Sequence, residues 1–129
     1  MSIEKMIRLH PDVGDDFNAP LATAARHAML CSLFCTSCAD ACLAEDGDMR
    51  QCIRSCLDCA DICDATAHLA VRRTGQNVTL LRAQLDLCIQ ACESCATECD
   101  RHDGEHCKLC ATMCRECAAD CRATLARVD

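Results

Sequence analysis

The chain has no tryptophan, no tyrosine and only two phenylalanines in 129 residues. The large rings that anchor most interiors are therefore missing, and something smaller has to fill the core. No run approaches the eighteen or so apolar residues of a membrane span, so a membrane is excluded as a partner. Basic residues are in deficit: 13 Lys and Arg stand against 20 Asp and Glu, for a formal charge of −7 and a pI near 5.1. That balance repels phosphate backbones and excludes nucleic acid as a partner. The opening MSIEKMIRLHPDVGDD has neither an apolar segment nor a twin arginine. No export signal is expected, and the predicted compartment is the cytoplasm.

What the chain has instead is sulfur: seventeen cysteines. Cys31, Cys35, Cys38 and Cys42 are spaced i, i+4, i+7, i+11. The same spacing recurs in Cys52, Cys56, Cys59 and Cys63, in Cys88, Cys92, Cys95 and Cys99, and in Cys110, Cys114, Cys117 and Cys121, with Cys107 three residues before the last set. At about 100° per residue such a set stays within about 60° of one helix face. Each of four helices thus carries a stripe of thiols where a bundle normally carries leucine. Free cysteine behaves as a small buried hydrophobe, so the stripes can pack as a core.

The predicted fold is all-α, an antiparallel up-down-up-down four-helix bundle with a cysteine-lined core. Residues 2–9 are predicted to form a short helix or turn, and Pro11, Gly14 and Pro20 mark a linker, so residues 1–19 precede a bundle domain over 20–129. The long helices are predicted over about 20–45, 48–73, 78–102 and 105–127, with Pro20 suited to a first turn. Gly47 is expected to cap the first, Asp48 with Gln51 to open the second through a capping box, Gly75 to stop it, Asn77 to cap the third and Gly104 to break before the fourth. Short connections favour antiparallel neighbours. All four stripes then fall at one end, as a sulfur-lined column roughly 16 Å tall. The same faces continue the other way as Ala24, Ala28, Ala67, Ala70, Leu81, Leu85, Leu125 and Val128, an apolar plug. Beyond the thiols lie Glu45, Asp48, Met49, His102 and His106, which read as a mouth. His27 reads as a packing histidine in the apolar end, and Met29 and Met113 as core-edge or interface residues. Leu33, Ile53, Leu57, Leu87 and Ile89 project outward or onto the flanks and predict a homo-oligomer.

Soft thiolates select Cu(I), Zn(II) or iron–sulfur clusters. Seventeen buried thiolates would carry a charge a packed interior cannot hold uncompensated, and about one Cu(I) per thiolate would neutralise it. Zinc prefers four ligands in a tetrahedron; about four such sites would leave roughly half of that charge unbalanced. The iron–sulfur spacings C-x2-C-x2-C and C-x4-C-x2-C are absent. A disulfide framework suits secreted chains and is strained within a helix. Geometry and charge favour many Cu(I) ions. His102 and His106, four apart across the last turn and inward by phase, mark an entry site.

Four helices of C-x-x-x-C-x-x-C-x-x-x-C with histidines beyond the stripes resemble the bacterial cytosolic copper storage proteins, over about residues 20–127. The resemblance implies a four-helix bundle assembled as a homotetramer, holding multiple Cu(I) ions per chain. It implies that all seventeen cysteines are metal ligands, and that copper enters and leaves at His102 and His106. Cys107 departs from the fourfold regularity. The expected role is storage and buffering of Cu(I), not enzymatic catalysis, with a copper chaperone as a candidate partner. Two alternatives stand beside it: an iron–sulfur or copper redox or electron-transfer protein, and a zinc-buffering, metallothionein-like protein.

Overall fold

The computed structural model describes residues 1–72 and 76–128. Gly75, the predicted stop of the second long helix, lies outside the described residues. Among those described, the elements are α1 (Ile3–Arg8), α2 (Ala19–Cys42), α3 (Arg50–Val71), α4 (Val78–Cys99) and α5 (Glu105–Leu125), with no strand. The four long helices form a ring in chain order: α2 packs on α3, α3 on α4, α4 on α5, and α5 closes back on α2. This is the predicted antiparallel bundle.

The helix starts follow from short polar side chains. Ser2 Oγ accepts from the Lys5 amide at 3.1 Å to open α1, and Asn18 Oδ1 accepts from the Leu21 amide at 3.1 Å to open α2, with Pro20 in its first turn. Both satisfy amides that would otherwise lack partners. Other ends differ from expectation. The chain leaves α2 at Leu43 in ordinary right-handed backbone, so Gly47 sits in the following turn and caps nothing. The Asp48–Gln51 capping box does not form. Asp48 Oδ1 accepts from the Arg50 amide at 3.2 Å and both its oxygens take the Arg50 guanidinium, at 3.0 and 2.9 Å. A bidentate guanidinium is a stronger partner for a carboxylate than one amide, and Met49 becomes the N-cap without a side-chain bond. Asn77 occupies the cap position of α4, but its amide donates to the Arg72 carbonyl at 2.9 Å instead of capping.

The end opposite the thiols is a dry plug. Ala24, Ala28, Ala67, Ala70, Leu81, Leu85 and Val128 are buried there, with Leu125 half-buried. Its polar atoms are paired: Thr66 donates to the Ile62 carbonyl, Gln84 donates to Thr66 Oγ1 at 3.0 Å, and Thr124 donates to the Pro20 carbonyl at 3.0 Å. The N-terminal segment covers a flank of the same end, packing Ile7 and Val13 on Ala22 with Phe17 and Val71, and the Arg8 guanidinium lies 3.7 Å over the Phe17 ring. His27 is not an apolar packing residue. Its Nδ1 meets the Asp120 carboxylate and its Nε2 lies 3.8 Å from Glu116. An imidazole needs polar partners when it leaves water, and α5 supplies two acids at that level. Ile53 and Ile89 also turn inward against the core, whereas Leu33, Leu57 and Leu87 are exposed. Met113 is buried and Met29 half out.

Candidate metal centre

All seventeen cysteines are buried and carry free thiols. The helical phase puts each stripe on the axis, and the ring of helices brings the stripes together. Between α3 and α4, Cys63 Sγ lies 3.6 Å from Cys92 and 3.8 Å from Cys88. Nearer the mouth, Cys56 is 3.8 Å from Cys95 and 3.9 Å from Cys99, and Cys52 is 3.9 Å from Cys99. Between α2 and α5, Cys35 is 3.7 Å from both Cys110 and Cys114, and Cys31 is 3.8 Å from Cys114. Cys59 reaches across the ring to Cys114 at 4.0 Å. Within one helix, Cys31 and Cys35 are 3.9 Å apart, and Cys59 and Cys63 3.8 Å.

These separations are far beyond the roughly 2.05 Å of a disulfide. They match sulfurs gathered about one ion. Three sulfurs each about 2.3 Å from a metal lie about 4.0 Å apart, and four in a tetrahedron about 3.8 Å. Spacing alone thus accepts trigonal or tetrahedral ions. Continuity is the more telling property, because one thiol serves several groups. Cys31, Cys59, Cys63 and Cys92 form one set of four, Cys31, Cys35, Cys59 and Cys114 another, and Cys35, Cys95, Cys110 and Cys114 a third. Cys38, Cys56, Cys99 and Cys110 follow toward the mouth, and Cys38, Cys42, His106 and Cys107 complete that end. Shared corners make a column of bridging sites, which suits a soft ion of low coordination number. A separate tetrahedral zinc site would need four thiols of its own.

The thiols tune one another. Burial pushes Cys42 and Cys107 up to about 12, helped by the charge of neighbouring thiols. Cys38 is held near 6: Cys110 raises it, but hydrogen bonds from Cys56 and Cys99, and from His106, draw it down. Cys31 also falls to about 6, through its hydrogen bond with Cys114. Deeper in the column, Cys35, Cys63 and Cys92 are pushed up by the hydrogen bonds and burial around them. A cation arriving among protonated thiols must displace protons to bind.

The mouth is asymmetric. His106, in the first turn of α5, points Nδ1 at Cys38 Sγ (3.3 Å) and Cys107 Sγ (3.6 Å), while its Nε2 meets Glu45 Oε1 at 2.9 Å. Cys38 and Glu45 both raise its pKa, Cys38 the more. A surface cavity of about 330 Å³ opens to His106, Cys38 and Cys110 between Leu33, Phe34 and Leu109. His102 is different. Its Nε2 bonds Glu98 Oε2 at 2.9 Å, and no hydrogen bond joins it to a thiol among the described residues. Glu98 is buried, 7% exposed, and also takes the Arg101 guanidinium at 2.8 Å. Sequence reasoning missed Glu98; its signal was the i, i+4 step from Glu98 to His102 on one helix face. Cys107 is fully buried beside His106 and so joins the thiol set. Met49 is buried in the same core cluster, and Asp48 is exposed and committed to Arg50.

A family model described as copper storage protein matches residues 17–126. The uncharacterized cysteine-rich protein YhjQ of Bacillus subtilis (strain 168) is 38% identical over 98 residues, which cover 74% of this chain and 87% of that one. The copper storage protein Ccsp from Streptomyces lividans, solved loaded with 10 copper equivalents, is 39% identical with a TM-score of 0.91, covering 97% of this chain and 98% of its own. A second structure, described as the cytosolic copper storage protein from Streptomyces lividans with five coppers, is 41% identical with a TM-score of 0.82, covering 85% of this chain and 95% of its own.

Proposed function

The chain belongs to the copper storage protein family and stores copper, and we propose that it does so as Cu(I) held by all seventeen cysteines, with His102 and His106 serving entry and release. The observation that carries this reading is the column of buried free thiols, in which neighbouring sulfurs from Cys52 to Cys88 lie 3.6 to 4.0 Å apart and several serve more than one group of four. Each arriving ion finds two or three sulfurs already at bonding separation, so loading needs little rearrangement of the helices. Thiolates of one group remain ligands of the next, and the count approaches one ion per sulfur. Each Cu(I) replaces a thiol proton, which keeps the interior close to neutral as the column fills. Held among thiolates and away from water, the ions are kept from cycling with oxygen. Among the described residues the thiols are buried and shared between groups rather than set beside a separate base and substrate cleft, which supports the reading of a store over an enzyme.

His106 hands ions to Cys38 and Cys107, which its Nδ1 faces directly. His102, set against Glu98 and joined to no thiol by a hydrogen bond among the described residues, acts one step further out. The bundle of residues 20–129 carries this function and residues 1–19 brace its closed end. The protein works in the cytoplasm, as the description of its Streptomyces relative as cytosolic supports. It assembles as a homotetramer through exposed leucines such as Leu30, Leu33 and Leu109, and a copper chaperone exchanges ions at the mouth.

The test is an anaerobic Cu(I) titration of the reduced protein against a chromophoric Cu(I) chelator, with metal counted per chain. Uptake of about one copper per cysteine is expected where soft thiolates share ions. Saturation at one or two ions would point to a dedicated redox centre, and a structure held by about four zinc ions, which copper would displace, to a zinc buffer. Exchange of both His102 and His106 for alanine should slow uptake and removal while leaving capacity nearly intact, and unchanged stopped-flow rates would remove them from the mechanism.

A further inference from the structure

We infer that Glu45 is a positioning residue for copper transfer: it fixes the His106 ring so that the Nδ1 lone pair faces Cys38 and Cys107, and Gly104 provides the space in which this pair sits. The inference rests on the reading of His106 as a copper ligand.

A carboxylate oxygen only accepts hydrogen bonds. With Glu45 Oε1 2.9 Å from Nε2, that nitrogen carries the ring proton. In the neutral imidazole the other nitrogen is then the acceptor and the metal ligand. That nitrogen, Nδ1, is the one 3.3 Å from Cys38 Sγ and 3.6 Å from Cys107 Sγ. His106 belongs to the group formed with Cys38, Cys42 and Cys107. Metal-binding histidines characteristically have their second nitrogen held by a carboxylate or carbonyl, which sets both tautomer and ring angle. Here the holder comes from the turn after α2 and the ring from α5, 61 residues later in the chain.

Gly104 supplies an independent observation. Its backbone is ordinary, with φ of −61°, so no left-handed conformation calls for glycine. A Cβ at that position would lie 3.2 Å from His106 Nε2, 3.4 Å from its Cδ2 and 3.5 Å from Glu45 Oε1. The missing side chain leaves room for the hydrogen bond itself. His102 has its own carboxylate in Glu98, but no hydrogen bond joins it to a thiol among the described residues, so the inference is confined to His106.

The test uses the full, reduced chain with 15N-labelled histidine. Long-range proton–nitrogen correlation spectra report which ring nitrogen of His106 carries the proton, and stopped-flow transfer from a Cu(I)–chelator complex reports uptake. At a pH above the raised His106 pKa, where the ring is neutral, the wild type should show His106 protonated at Nε2 alone. Glu45→Ala should give mixed tautomers and uptake slower by about 10-fold, the low end of what such supporting residues contribute, with the copper count unchanged. Glu45→Gln should restore both, since its amide oxygen accepts the same N–H. Gly104→Ala should move in the direction of Glu45→Ala. Wild-type tautomer and rate in Glu45→Ala would overturn the inference and leave a plain surface ion pair. His106→Ala separates the two levels. If it slows uptake while Glu45→Ala does not, only the positioning role fails; if its uptake is that of the wild type, the ligand reading fails and the inference with it.

Discussion

Removing the sulfur of Cys114 gives a sharp test of how the column is shared. Cys114 Sγ lies 3.8 Å from Cys31, 3.7 Å from Cys35 and 4.0 Å from Cys59. It is a corner of two groups of four thiols, one with Cys31, Cys35 and Cys59, the other with Cys35, Cys95 and Cys110. Cys114→Ala removes one buried atom and keeps the Cβ. In the metal-free protein the lost burial is like that of one methylene, about 0.8 kcal/mol. A residual cavity of about 25 Å³ adds about 0.6 kcal/mol. Together these lower the melting temperature by about 5 °C for a domain of this length, which circular dichroism under reductant would measure. Copper capacity should fall by about two ions, one for each group weakened, because bridging thiolates serve more than one soft ion. Cys114→Ser should lose the same copper but cost more stability, about 1–3 kcal/mol, because a hydroxyl is left in a sulfur-lined interior. Anaerobic titration with metal counting reads the capacity. A count equal to that of the wild type would refute sharing at Cys114, and a loss of most of the copper would refute the picture of separable groups.

At the closed end, Leu85→Ala should cost about 3 kcal/mol, since Leu85 is fully buried and large-to-small changes in such sites cost 2–5 kcal/mol. Copper capacity should stay at the wild-type value; thermal melts beside titrations would check both. Alkaline pH should loosen the metal-free protein. Cys42 and Cys107 are raised from an ordinary 9.0 to about 12, so the folded state holds their protons more tightly than the unfolded chain. Their contribution is complete below pH 9 and is lost as pH climbs from 9 to 12, and urea melts across that window should show the decline. Loading should release protons, measurable in a pH-stat at neutral pH, in proportion to the copper bound. Copper should also raise the melting temperature in proportion to occupancy, because ions that bind the folded state in preference to the unfolded one stabilise it.

The thiol column was legible in the sequence because a helix turns by a fixed angle. A spacing of 4, 3 and 4 residues leaves a side chain no choice of face, so Cys31 through Cys121 had to share an interior once four helices formed. Short connections made those helices antiparallel and put the stripes at one end. The plug of Ala24, Leu81 and Leu85 followed from the same phase. Capping was less legible, because it depends on competition between partners. Asp48 suited Gln51 by spacing, yet Arg50 offered a better bond, and Asn77 bonded back to Arg72. His27 looked apolar by position because its acids, Asp120 and Glu116, stand 93 and 89 residues away on α5.

The sequence by itself determined which residues line the interior and that their chemistry is soft-metal chemistry. Both depend on local periodicity and on side-chain type, neither of which needs the rest of the fold. Tertiary structure alone decided which sulfurs are shared between groups and which histidine nitrogen faces a thiol. It also decided which carboxylate stands behind that ring, with Glu45 reaching across to His106. Those depend on the distance between atoms of different helices, fixed to a few tenths of an ångström by how the bundle closes.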